Sequence, residues 1–198
     1  IDLSSYNFAI VENDANASAF GEWYWHRKHS VCLLCLTLGS GIGGGIVYRG
    51  DLFKGKGDGC ELGHGVMNFE GEKCRCGSTG CIETYASSHY FFRELNLAPV
   101  DTFIRAKDDK KIRNKFNEYG RYLGIALASL SNIIAPDCIV LTAGISYAKK
   151  YFDDTMRKTY RKRTMKSMIA EIEYSEHPMD SALLGVSALY FSHLKRNR

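Results

Sequence analysis

The stretch Glu61–Glu83, ELGHGVMNFEGEKCRCGSTGCIE, constrains this chain more than any other. His64, Cys74, Cys76 and Cys81 are separated by nine, one and four residues, so a single loop can bring three thiols and an imidazole onto one ion. A Cys3His set fills a zinc tetrahedron and leaves no open position for water, which is the coordination of a structural rather than a catalytic zinc. Gly71, Gly77 and Gly80 allow the tight reversals that wrapping a short loop requires. The competing explanation is a set of buried thiols with a satisfied histidine, or a disulfide cluster. Cys-x-Cys-x4-Cys in one glycine-rich loop beside a histidine is hard to use as core and favours metal. Glu61 and Glu83 bracket the ligands. With one ring nitrogen of His64 on the metal, the other is free to bond a neighbour, and the ion becomes a rigid frame for a polar pocket. Either glutamate taken singly is as well explained by a solvated surface charge.

The rest of the chain sets the frame for that loop. At 198 residues it is long enough to bury its own core. Its 45% hydrophobic and 24% charged residues are those of an ordinary soluble globular protein. A net charge of +4 is weak evidence for nucleic acid, since solubility explains it equally well. No apolar run is long enough to span a membrane, and no signal-peptide pattern opens the chain, so a cytoplasmic location is expected. Seven cysteines then suit a reducing compartment and a metal loop rather than a disulfide scaffold. Cys32 and Cys35, three apart on a strand, face opposite sides and are expected to pack rather than to form a redox pair; Cys138, in the apolar CIVLT, is read the same way.

Phe8 to Val11 reads as a short buried strand, and Ala15 to Trp25 as a helix behind Asn13 and Asp14. Val31 to Leu38 and Gly43 to Tyr48 form a hairpin with a glycine-rich tip. Glycines there would let backbone amides approach an anion, although such tips are usually just turns, and the string matches neither the Walker loop nor the Rossmann fingerprint. Residues 49–60 read as a mobile polar loop. Thr84 to Leu95 is expected to be helical, with Pro99 ending the segment. The stripe Ile112, Phe116, Tyr119, Leu123, Leu127, Leu130 and Ile134 predicts a long amphipathic helix stopped before Pro136. A strand Cys138 to Thr142 follows, then Ala143-Gly144-Ile145-Ser146 opening a helix. The lysines and arginines of Met156 to Lys166 suit a solvated helix face better than a nucleic-acid patch. Ile169 to Tyr174 reads as a strand, and residues 180–194 as a final packing helix.

Glu61-Leu62-Gly63-His64, followed by Cys74-Arg75-Cys76-Gly77 and Gly80-Cys81-Ile82-Glu83, resembles the signature of the ROK family of sugar kinases and sugar-responsive transcriptional repressors. Asn13-Asp14 and the Gly39–Gly45 loop fall in the family's order, and the resemblance covers nearly the whole chain. It implies an α/β, actin-like (ribonuclease H-like) sugar-kinase fold. By the same resemblance Asn13 binds sugar and Asp14 is the catalytic base, against the plainer alternative that Asp14 only caps its helix. Glu61, His64 and Glu83 join them around a hexose or N-acetylhexosamine. Thr37, Gly39, Ser40, Gly41 and Gly43 become candidates for the phosphates of ATP with Mg²⁺, and Gly144 for its adenosine. The family often has two glycines where this chain has Ala143-Gly144. A homodimer is implied, and nucleic acid only through a domain upstream. Residues 1–10 offer only a short apolar segment where a kinase of this type first has a whole lobe, so the chain is expected to be the C-terminal lobe of a larger protein, inactive alone. The functions in view are an ATP-dependent sugar kinase, the sugar-sensing domain of a repressor, and a zinc-stabilised interaction module.

Overall fold

The computed structural model describes residues 9–57 and 59–196. Its frame is a five-stranded mixed sheet in the order β3-β2-β1-β4-β5, with β1 at Cys32–Leu38, β2 at Ile42–Tyr48, β3 at Asp51–Leu52, β4 at Cys138–Thr142 and β5 at Glu171–Tyr174. β1 and β2 pair antiparallel from Leu38↔Ile42 to Cys32↔Tyr48, the expected hairpin. β4 lies parallel on the other side of β1, and β5 runs parallel beyond it.

β1 is apolar at every position but Thr37 because both of its faces are covered. Leu34, Leu36 and Leu38 enter one core, with Ile139 and Leu141 of β4 and with Phe116, Tyr119, Leu123 and Leu127 of helix α5, Lys110–Ile134. Leu33 and Cys35 enter a second core, with Cys138 and Val140 and with Phe20 and Tyr24 of helix α1, Asp14–His26. Cys32 and Cys35 thus fall in different cores, as the strand period requires. Helix α6, Asp153–Arg163, backs α5, and helix α7, Ser181–Arg196, lies across α1.

Several local expectations fail for identifiable reasons. Residues 9–13 carry no regular structure, so the strand foreseen at Phe8 to Val11 is absent over its described part; Phe8 lies outside the described residues. Thr84 to Leu95 is broken at Ser87 into α2, Ile82–Ala86, and α3, Ser88–Leu95, because the extended Ser87 caps the second helix by accepting from His89 N. Pro99 opens helix α4, Pro99–Arg105, rather than ending a segment, since the missing N–H of proline costs nothing in a first turn. The loop expected over 49–60 contributes the short edge strand β3. The helix expected after β4 is present, as a 3₁₀ helix over Gly144–Tyr151.

Candidate sugar site and metal loop

Asn13 is the N-cap of α1. Its Oδ1 accepts from Ala15 N at 2.9 Å and Asn16 N at 3.1 Å. The cap is therefore Asn13, and Asp14 stands free to project at the first helical position. Asp14 Oδ1 accepts only from Ala15 N, 2.8 Å away, and the residue is exposed at the positive end of the helix, where an anionic carboxylate is favoured.

A cleft of 190 Å³ opens beside it, lined by Asn13, Asp14, Glu61, His64 and Glu83 together with Cys60 and the Gly41–Gly44 end of β2. Three separate segments meet there: the α1 N-terminus, the 3₁₀ turn Leu62–His64, and the start of α2. Glu83 is buried at 8% exposure and tied down. Its Oε2 accepts from Ile42 N at 3.0 Å, and its Oε1 from Arg75 at 3.3 Å. His64 turns Nδ1 to Cys74 Sγ, 3.6 Å away, and Nε2 towards Glu61 Oε2 at 3.8 Å, a separation for electrostatic pairing and too long for a hydrogen bond. The ring thus stands between the cysteine cluster and the cleft.

In that cluster the ligand atoms of His64, Cys74, Cys76 and Cys81 all lie within 4.8 Å of one another, and Cys76 and Cys81 are 3.6 Å apart. Zn–S bonds of about 2.3 Å would give tetrahedral edges of roughly 3.8 Å, so the donor set and its spacing fit a zinc ion. Burial and the neighbouring thiols push Cys81 up to about 12, whereas the Ser78 backbone amide pulls Cys76 below its ordinary value.

The hairpin tip is tighter than a phosphate cradle needs. Gly39 N donates to Gly41 O, Ile42 N to Glu83, and Gly43 N to Thr37 Oγ1 at 3.1 Å. Only the Ser40 and Gly41 amides at the tip lack a hydrogen-bond partner among the described residues. A Cβ on Gly43 would stand 2.8 Å from Ala15 Cβ, and one on Gly41 2.5 Å from Glu83 Oε2. Both glycines are thereby explained by the close approach of α1 and Glu83. Gly144, by contrast, faces open space and does not line the cleft, and neither do Thr37, Gly39 and Ser40. Sequence reasoning passed over Arg75, Cys60 and Glu12. Arg75 sits inside the cysteine motif, and Glu12 stands four residues before Asn16, a spacing that brings side chains together at a helix start.

A mixed sheet thus carries a polar, carboxylate-lined cleft at its glycine hairpin, next to a Cys3His loop. The family model for the ROK family matches residues 6–192, and the chain belongs to that family. It is 30% identical to the xylose repressor of Bacillus subtilis across 98% of this chain and 54% of the repressor. It is 32% identical to the glucokinase of Streptomyces coelicolor across 77% of this chain and 56% of that enzyme. Among solved structures, a ROK family glucokinase from Streptomyces griseus in complex with glucose and AMPPNP superposes with a TM-score of 0.80 at 28% identity, covering 91% of this chain and 67% of the other. The chain spans just over half the length of the curated relatives it matches. The family is therefore the expected one, and the α/β sugar-kinase fold with its mixed sheet is consistent with the expected actin-like class.

Proposed function

We propose that this chain is the sugar-binding and base-carrying part of an ATP-dependent kinase acting on a hexose or N-acetylhexosamine. The observation that carries the proposal is the convergence of Asn13, Asp14, Glu61, His64 and Glu83, drawn from three segments, on one cleft. Vicinal hydroxyls of a sugar suit such a ring of carboxylate, amide and imidazole groups, each able to take or give a hydrogen bond. Within it Glu83 is immobilised by Ile42 N and Arg75, whereas Asp14 is exposed and lightly bonded. That contrast suits two roles. Glu83 orients a hydroxyl, and Asp14 accepts the proton of the hydroxyl that attacks.

ATP with Mg²⁺ would supply the phosphoryl group and neutralise its developing charge. On this chain the Ser40 and Gly41 amides, at the hairpin tip whose Gly41 borders the cleft, are the groups best placed to meet its phosphates. Zinc on His64, Cys74, Cys76 and Cys81 would fix the His64 ring and hold the Glu61–Glu83 wall in place. The test is calorimetry with glucose, N-acetylglucosamine and N-acetylmannosamine, followed by a sugar-dependent ADP-release assay on the full-length protein. Asp14→Asn is expected to retain sugar binding and to abolish turnover. A variant that turns over at the parent rate removes Asp14 from the role of base.

The match to a xylose repressor across 98% of the chain supports a second proposal, a sugar-sensing effector domain. Sugar binding without ADP release in the full-length protein, together with sugar-dependent release of DNA, would select it.

A further inference from the structure

Glu12 immediately precedes the Asn13-Asp14 pair, and its side chain is only 6% exposed. Its Oε1 accepts from Asn13 N at 3.2 Å and from Asn16 Nδ2 at 3.1 Å, while Oε2 pairs with the ammonium of Lys54, just beyond β3. Asn16, 1% exposed, lies between this carboxylate and Gly59, where a Cβ would come within 2.6 Å of Asn16 Nδ2. Among the described residues Asn16 Oδ1 is buried without a hydrogen-bond partner, and the side-chain amide is held through Nδ2 by Glu12. Burial opposes the charge on Glu12, but Lys54, Asn16 and the Asn13 amide outweigh it and leave the carboxyl below its ordinary value. A buried charge with three partners specifies geometry strongly, because each partner left alone is costly.

We propose that Glu12 is the positioning residue of the cleft: it fixes the backbone from which Asn13 and Asp14 project and ties it, through Lys54 and through Asn16 against Gly59, to the segment that delivers Cys60 and Glu61 to the opposite wall. Glu12 does not itself line the cleft, so its effect on a bound sugar passes through Asn13, Asp14 and Glu61. This rests on the sugar-site assignment above, and two readouts separate the two ideas.

The full chain is compared with Glu12→Gln, Glu12→Ala and Lys54→Met by titration with glucose, N-acetylglucosamine and xylose, by zinc titration, and by ¹⁵N shifts of residues 13 to 16. Glu12→Ala is expected to weaken sugar binding by about tenfold or more, with displaced Asn13 to Asn16 amide signals. Glu12→Gln keeps an acceptor for Asn13 N and falls between parent and Glu12→Ala, with Lys54→Met close to it. Zinc affinity should stay within about twofold, since no cluster ligand touches this network. A merely structural Glu12 would lower both affinities or neither. If the parent binds none of the three sugars, the sugar assignment fails, and the shifts alone judge the inference. Unmoved amide signals in Glu12→Ala overturn it, as does a sugar affinity that is unchanged or that falls in step with zinc affinity.

Discussion

Arg27 is a buried cation between two carboxylates. It is 5% exposed on the α1 side of the sheet and bonds Glu22 and Glu173, each at 2.6 Å. Burial lowers its pKa, but the two carboxylates more than offset this and hold it raised. Arg27→Met strands the buried Glu22 and is expected to cost about 3–5 kcal/mol in urea unfolding. Ala143 presents the opposite case. It sits at φ 69° and ψ −176°, a region that favours glycine, with its N–H tied to Pro178 O. Ala143→Gly should therefore stabilise by about 1 kcal/mol, strain relief exceeding the added chain entropy. An unchanged or lower unfolding midpoint would contradict this. Ala143 stands beside Gly144 where the resemblance implies two glycines, and its backbone has a glycine-type conformation. Around Lys115, the Lys115 bond chiefly lowers Glu94, whereas burial raises Glu118 and is outweighed by Lys115 and two tyrosines. Folded carboxyls below 4.5 contribute stability that is present above that value and lost as pH falls through the lowered one. Urea midpoints taken from about pH 6 to about pH 3 should fall less steeply in Lys115→Met than in the parent.

Among elements, the α1–α7 crossing depends on a glycine pair that no periodicity reveals. A Cβ on Gly185 would stand 1.8 Å from Ala17 O, and one on Gly21 2.7 Å from Gly185 N. Gly185→Ala must push the helices apart and should destabilise by about 1–3 kcal/mol, read as a lower urea midpoint with an unchanged slope. β1, β2, β4, β5 and α5 were legible because their burial writes directly onto the sequence. β1 is apolar at nearly every position because it is sandwiched, and α5 shows its stripe because one face is wet. The break at Ser87 and the start at Pro99 were not legible, because each turns on a local cap that apolar spacing ignores. In the candidate site, the cysteine motif was legible by residue type and spacing, and the Asn13-Asp14 pair only through the family resemblance. Arg75 and Glu12 did not, since isolated charges acquire a role only when the fold brings their partners to them.

For the molecule as a whole, the Cys3His loop and the cleft share His64, so loss of a loop cysteine is expected to disturb the cleft as well. Cys76→Ser should lower zinc affinity and sugar affinity in one step, and chelation of the parent should do the same reversibly. Structural zinc contributes roughly 10–16 kcal/mol in small peptides, comparable with a whole domain's stability, so partial unfolding of residues 61–83 is the expected companion. No helix among the described residues is long and apolar enough to cross a membrane. The central claim is that Asn13, Asp14, Glu61, His64 and Glu83 form one carbohydrate site. The most direct measurement is calorimetric titration of the chain with glucose, N-acetylglucosamine, N-acetylmannosamine and xylose, repeated on Glu61→Gln. Saturable binding of at least one sugar, weakened about tenfold or more by that substitution, is predicted. Binding of none of them by zinc-loaded, folded protein, or binding indifferent to Glu61, would contradict the account.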